Sequence, residues 1–462
     1  MTDLTKGSAL KQIVSFAIPY FIGNLFQQFY NIVDMVVVGR TLGPIAYTAV
    51  GATGNLVWFA IGAVNMLMTG FSIITAQHFG AGNSERVKQS FGAAIRLSAV
   101  IAILASVFFA LNTRGLLELM QTPDDIIDRA YSYLVWMFGG MAATALYNLV
   151  SCMLHALGDS KTPLYFLIVS CVLNVIFDIV FIVFCGMDTD GAGLATVLAQ
   201  LISGLCCVVY IIKKHPALHI SLRHLGWDRF MDRALLRIGI PMAFLNMVLS
   251  FGGIVAQFVT NGFGTLYVMA TSTGSKIQSF IFLPVSSVSS AASVFAAQNY
   301  GARNYLRIIE GGRKSMLICY AFNAVTLAIL LPFCGFFAKL LAGDIEETVV
   351  DNTYRMVIIL AAFSFLVSIL FVSKAILQAV GHTTVAVVSG VAEIVARIAV
   401  SILAVVLVNA AVADADFGYI LVCLSTPAAW IFGLAVLMFV YIKVMREFKR
   451  LAAESSVEAE ET

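Results

Sequence analysis

Charge is what this chain is short of. Only 12% of its 462 residues are Asp, Glu, Lys or Arg, about half the share of a typical soluble domain, while 60% are hydrophobic. No polar stretch is long enough for a soluble catalytic domain. An HExxH zinc motif and a nucleophile elbow are both missing, so the sequence gives no ground for an enzyme. The eight cysteines (Cys152, Cys171, Cys185, Cys206, Cys207, Cys319, Cys334 and Cys423) lie in or beside apolar runs. They show neither zinc-ligand spacing nor a disulfide framework, and read as small core hydrophobes. Alternating ten-residue segments of the barrel type are lacking too. The hydrophilic start Met1–Lys11 leads into a full-length apolar run without a small-residue cleavage site, so no removable signal is expected. Nothing points to a nucleic-acid partner or a bound cofactor.

What the chain has is apolar runs, each long enough to cross a bilayer at the ~20 residues a helix needs. Twelve are expected, at 13–38, 46–78, 86–112, 128–156, 162–185, 191–213, 235–261, 266–298, 304–333, 354–380, 384–409 and 418–446. The charges between them sort by sign. With the N-terminus in the cytoplasm, Arg86, Lys88, Lys161, Arg303, Arg307, Arg313 and Lys314 fall inside, as does the basic connection Lys213–Arg237. Asp124, Asp125, Asp128, Asp188, Asp190, Asp344, Glu346, Glu347, Asp351, Asp414 and Asp416 fall outside. Positive residues stay inside, so both termini are expected in the cytoplasm of a multi-pass plasma-membrane (inner-membrane) protein. Arg96 and Lys374, near cytoplasmic ends, are expected to snorkel. The acidic tail Glu454–Thr462 is expected to be disordered.

The chain also repeats itself. Ala76-Gln77-His78-Phe79-Gly80-Ala81-Gly82-Asn83 returns as Ala297-Gln298-Asn299-Tyr300-Gly301-Ala302-Arg303-Asn304, 221 residues on. Ile18-Pro19 returns as Ile240-Pro241, and Leu154–Asp159 as Leu377–His382, at offsets of 222 and 223. The expected fold is therefore an all-α polytopic membrane protein of twelve transmembrane helices in two pseudo-symmetric six-helix bundles. Six spans per half make the repeats parallel. The bundles are expected at 1–212 and 235–446, joined by the basic linker 213–234 and followed by the tail 447–462.

Chemistry concentrates in the first half. Asn24, Gln27, Asn31 and Asp34 are spaced three, four and three apart, so they stack on one face of the first span, with Tyr30 beside them. A charged Asp at mid-membrane costs roughly 2.5–3.5 kcal/mol on the insertion scale, so it faces partner helices or a cavity. One reading is a polar seam between helices; the other is an ion or substrate site. Ser170, Asn174 and Asp178 form a second stripe, and Thr196 with Gln200 a third. Asp34, Asn174, Asp178 and Thr196 offer oxygens suited to Na⁺, or a carboxyl pair suited to a shared proton. Asp178 alone also reads as a buried carboxyl satisfied by Asn174 and a water. In the second half the intramembrane charges are Lys276, Glu393 and Arg397. The i,i+4 spacing of the last two suggests a structural ion pair, and all three are also candidates for a cavity wall.

Tyr30-Asn31-Ile32-Val33-Asp34, Val38-Gly39-Arg40, Leu42-Gly43 and Ala49-Val50-Gly51 resemble the first-helix signature of the multidrug and toxic compound extrusion (MATE) transporters. Asn174-Val175-Ile176-Phe177-Asp178, Gly158-Asp159-Ser160-Lys161-Thr162-Pro163 and both Gln-x-x-Gly-Ala-x-Asn turns fit the same family, in order and over nearly the whole chain. The resemblance implies two bundles around a central cavity. It implies export of cationic or amphiphilic small molecules in exchange for Na⁺ or H⁺, by a monomer in a lipid bilayer. It assigns coupling to Asp34, Asn174, Asp178 and Thr196, and a hinge to Pro19. One departure is that 235–261 and 354–380 hold no acid, where some relatives carry acids, so only Glu393 is available for a second-bundle site. A related alternative is a lipid-linked oligosaccharide flippase, which would use Lys276 and Arg397 to hold a pyrophosphate. A major-facilitator transporter would need an acidic-basic loop after the second span, and Phe79–Lys88 is a Gly-Ala-x-Asn turn instead.

Overall fold

Polar residues between the apolar runs cap the helices that the runs form. The Asn83 side chain accepts from the Arg86 amide at 3.0 Å, and Asp188 from the Thr189 amide at 2.9 Å. Asp159 accepts from both Lys161 and Thr162 amides, satisfying donors that a helix start leaves free. The computed structural model describes residues 2–342, 346–410 and 414–461; Asp344 lies outside them. Its helices are α1 (Ala9–Leu42), α2 (Pro44–Gly80), α3 (Ser84–Leu119), α4 (Asp124–Gly139), α5 (Met141–Ala156), α6 (Lys161–Asp178), α7 (Thr189–Lys214), α8 (Arg229–Asn261), α9 (Thr265–Gly301), α10 (Tyr305–Leu330), α11 (Cys334–Ala342), α12 (Glu347–Ala362), α13 (Ser364–Ala379), α14 (Thr383–Asn409) and α15 (Ala415–Glu461). No strand occurs among the described residues. Among the described residues, ten helices are long and apolar enough to cross a membrane. The pairs α4/α5 and α12/α13, bent by 49° and 53°, bring the number to twelve when each pair is counted as one span. The fourth and tenth spans are thus broken rods.

The chain divides into two compact units, Met1–Thr5 with Ile18–Met247, and Lys6–Ala17 with Val248–Thr462. Within the first, α2 packs on α3, α4 and α5; within the second, α9 packs in the same way on α10, α12 and α13. The repeat seen in sequence is therefore a repeat of packing. Each unit also takes in the opening turns of a helix that continues in the other. The backbone carbonyls of Lys6 and Gly7 accept from Arg307 of α10. The first half of α8 lies on α2, where a Cβ on Gly70 would sit 2.6 Å from the Cα of Gly239. Only glycine allows the backbones to meet that closely.

The basic linker before α8 is fastened to α3. Arg96 donates to Asp232 and to the carbonyls of Leu225 and Gly226, and its guanidinium lies 4.5 Å from the Trp227 ring. His224 meets Glu85 at 3.2 Å. Arg96 therefore does not snorkel, because a carboxylate and two carbonyls reach it first. Replacing Arg96 with Gln leaves the buried Asp232 without its cation, a loss of roughly 3–5 kcal/mol for buried pairs. Tryptic cleavage between Lys213 and Arg237 should then speed up by about tenfold or more, since cutting follows local opening. Unchanged cleavage would show that the clamp does not hold the linker.

Three further expectations are corrected. Lys374 does not snorkel but pairs with Glu393 at 2.6 Å. Glu393 accordingly does not pair with Arg397: a partner on a neighbouring helix reaches its carboxylate where the same-helix residue does not. The tail is not irregular either, since α15 continues as helix to Glu461. Among the cysteines, Cys207, Cys319, Cys334 and Cys423 are buried as expected, while Cys185 and Cys206 are exposed.

Candidate functional site

The polar stripe of α1 lines a cavity of about 340 Å³ inside the first unit. Asn24, Gln27, Tyr30, Asn31 and Asp34 all reach it, together with Pro19 on the same helix. Ser170 of α6 and both Thr196 and Gln200 of α7 line it too, so each of the three stripes reaches the cavity, although Asn174 and Asp178 of the second stripe do not themselves line it. His155 and Ser160, where α5 gives way to α6, line it as well. A mere seam between helices would have no space to enclose.

Asp34, on this wall, meets a second acid, Asp178, which does not itself line the cavity. Asp34 and Asp178 are buried, and their carboxyls lie close enough to share a hydrogen bond. Asn174 stands one turn before Asp178. With its amide nitrogen toward the acid it donates to Asp178 Oδ2 at 2.9 Å, and its oxygen accepts from the Thr196 amide and hydroxyl at 3.2 Å. Tyr30 Oη lies 3.2 Å from the same hydroxyl. Asp178 is the last residue of α6, and the backbone then widens into a π-helical turn, Ile179–Phe184. Such turns recur at functional sites.

The Oδ1 atoms of Asp34 and Asp178 are both enclosed with no hydrogen-bond partner among the described residues. Buried carboxylate oxygens rarely go unmatched. Two orphaned acid oxygens, with the Asn174 oxygen and the Thr196 hydroxyl at hand, form a donor set of the hard-oxygen kind that fits a small monovalent cation. The same pair fits one shared proton, because neighbouring carboxylates in low dielectric do not both ionise cheaply. Asn174 satisfies one oxygen of Asp178, and the purely structural reading of that acid needs a water for the other.

Not every candidate joins the site. Lys276, Glu393 and Arg397 belong to the second unit and do not line this cavity. Lys276 is exposed on α9 beside exposed Ser275 and Ser279. Residues missed in the sequence do line it: Asn65 of α2, Tyr133 of α4, and Asn148 with His155 of α5. Thr144, Asn148, Ser151 and His155 are spaced four, three and four apart on α5, a further stripe that the sequence did carry, whereas Asn65 and Tyr133 have no such spacing.

Apolar spans, a polar cavity within the first unit and a buried acid pair with Asp34 on its wall define a multi-pass membrane transporter. The MatE family model matches residues 19–180 and again 241–403, and the chain belongs to that family. The two matches start at Pro19 and Pro241 and reproduce the internal repeat. The chain is similar to "Probable multidrug resistance protein YoeA" of Bacillus subtilis (strain 168), 29% identical over 76% of this chain and 78% of that protein. It is also similar to "Probable multidrug resistance protein YpnP" of the same organism, 28% identical over 82% and 84%. Its fold matches a solved outward-facing multidrug resistance MATE family transporter of the MOP superfamily. That match has a TM-score of 0.89 at 19% identity and covers 97% of this chain and 98% of the other.

Proposed function

We propose that this transporter is a secondary antiporter that exports cationic or amphiphilic compounds, drugs among them, in exchange for H⁺ or Na⁺. Coupling resides in the first unit, at Asp34, Asn174, Asp178 and Thr196. The observation that carries this reading is the facing pair Asp34 and Asp178, each with an enclosed oxygen left unmatched among the described residues, with Asp34 on the wall of a polar cavity. An ion that enters there removes the repulsion between the acids and satisfies both oxygens. The two ions compete because a proton on either acid destroys the cation site.

Alternating access follows if occupancy by the ion favours one orientation. An ion shifts a conformational equilibrium only by its difference in affinity between the two states. Pro19 interrupts the hydrogen-bond ladder of α1, and a bend there would move the Asp34 stripe relative to α6 and α7, which makes it our candidate hinge. No cofactor takes part beyond the coupling ion, and the working form is a monomer. The similarity to proteins described as multidrug resistance proteins supports the substrate class.

The test is uptake of a fluorescent cationic dye into inverted vesicles, with a Na⁺ gradient and a pH gradient imposed separately. One gradient should drive uptake and the other should not; no response to either would remove the antiport mechanism. Orientation in the plasma membrane is checked by single cysteines in a background lacking the native ones. Position 188 should label from outside intact cells and position 225 should not, as the charge sorting requires. Labelling at 225 from outside would reverse the topology.

A further inference from the structure

Halfway along α14, Glu393 and Arg397 stand one turn apart, and Lys374 of α13 reaches the same level. Lys374 Nζ is 2.6 Å from Glu393 Oε1, and the Ser389 hydroxyl donates to that oxygen at 3.3 Å. On α15, a Cβ at Gly433 would collide with the Glu393 side chain, so glycine there is what lets the acid sit so deep. Glu393 is thus held from three helices. Arg397 is not: its Nε is enclosed and meets no hydrogen-bond acceptor among the described residues. The residue as a whole keeps part of its surface open.

One carboxylate therefore stands among two cations, and it is already engaged by the lysine. Arg397 lies twelve residues from the nearer end of α14, roughly 18 Å of helix, so its side chain reaches neither membrane surface. A guanidinium at that depth without a partner is expensive unless an anion or water meets it.

The repeat sharpens the point. Lys374, Glu393 and Arg397 occupy the positions of Ser151, Ser170 and Asn174, 223 residues earlier. Ser151 and Ser170 line the first-unit cavity, and Asn174 holds Asp178 beside it. Three uncharged polar positions have become two cations and an acid. The counterpart of Asp178 is Ser401, so the second unit keeps no copy of the acid pair.

We propose that Arg397 binds the carboxylate of an amphiphilic solute, making the second unit a subsite for zwitterionic or anionic compounds. Lys374 neutralises Glu393, which leaves the planar guanidinium fork free for a carboxylate, the group it fits best. This builds on the export of amphiphiles proposed above but is independent of which ion drives it.

The test reads binding, not transport. Purified protein in uncharged detergent is titrated with a rhodamine carrying a free carboxylate and with its methyl ester, followed by fluorescence polarisation. Wild type should bind the acid about tenfold to hundredfold more tightly than the ester, the contribution of one charged hydrogen-bonding contact. Arg397→Gln should bring that ratio toward one, and Arg397→Lys should keep part of it. Equal binding of acid and ester by wild type overturns the proposal, even if no variant folds. An equal loss for both compounds in Arg397→Gln, with the ratio kept, overturns it as well. Displacement of the acid by added phosphatidylglycerol would assign the guanidinium to a lipid headgroup and overturn the solute assignment. If neither compound binds, the export of amphiphiles falls too; if the ester alone binds well, only the anion subsite falls.

Discussion

Asp34→Asn is expected to abolish ion-driven export while leaving the protein folded. The change keeps the size of the side chain and one acceptor oxygen but removes the charge, so the site is fixed in a state resembling permanent neutrality. Substrate still binds, yet the ion no longer distinguishes one orientation from the other. Coupling free energies of the usual size correspond to about one to two orders of magnitude in transport rate under a gradient. Asp178→Asn should behave alike, because the two carboxyls face each other and Asn174 ties the second to Thr196. The double variant should be little worse than either single one, since residues that act as a unit do not add. Initial rates of gradient-driven dye uptake, at matched protein amounts in vesicles, measure all three. Additive losses would mean that the acids act at separate steps.

The second large effect concerns stability. Lys374→Met and Glu393→Gln should each lower the melting temperature in detergent, because each leaves a buried charge without its partner, at roughly 3–5 kcal/mol. The double change Lys374→Met with Glu393→Gln should recover much of the loss, since neither member of the pair is then left charged alone, while Arg397 stays as it was. Arg397→Met separates this account from the local-spacing one. With no ion pair to break, it should shift the melting temperature far less than Lys374→Met does. A loss at Arg397 as large as that at Lys374 would make Arg397 the real partner of Glu393.

These two cases also show what the sequence makes legible. Spacing along a single helix is visible, so the Asn24–Asp34 and Ser170–Asp178 stripes, and their convergence with Thr196, could be read directly. All three line or adjoin one cavity. Contacts between helices are not visible, which is why i,i+4 spacing favoured Arg397 over Lys374 as the partner of Glu393. The same blindness sent Arg96 to the lipid surface, when Asp232 of α8 was waiting for it. Lone cavity residues such as Asn65 were lost for want of a pattern, while the Thr144–Asn148–Ser151–His155 stripe was legible and passed over.

Most span ends are legible because polar caps such as Asn83 and Asp159 interrupt long apolar runs. Breaks inside a span are not. The bend between α4 and α5 falls at Gly139-Gly140, which hints at it. The bend between α12 and α13 falls at Phe363, with no glycine or proline to mark it. There, tertiary packing rather than local propensity decides.

In the proposed antiport, the ion held at the Asp34–Asp178 pair leaves as substrate is taken up. This exchange is tested most directly by adding cationic dye to purified transporter in weakly buffered solution and recording released protons and Na⁺ together. Wild type should release one of the two ions in proportion to dye bound, and Asp34→Asn should bind dye and release none. Undiminished ion release from Asp34→Asn would contradict the account.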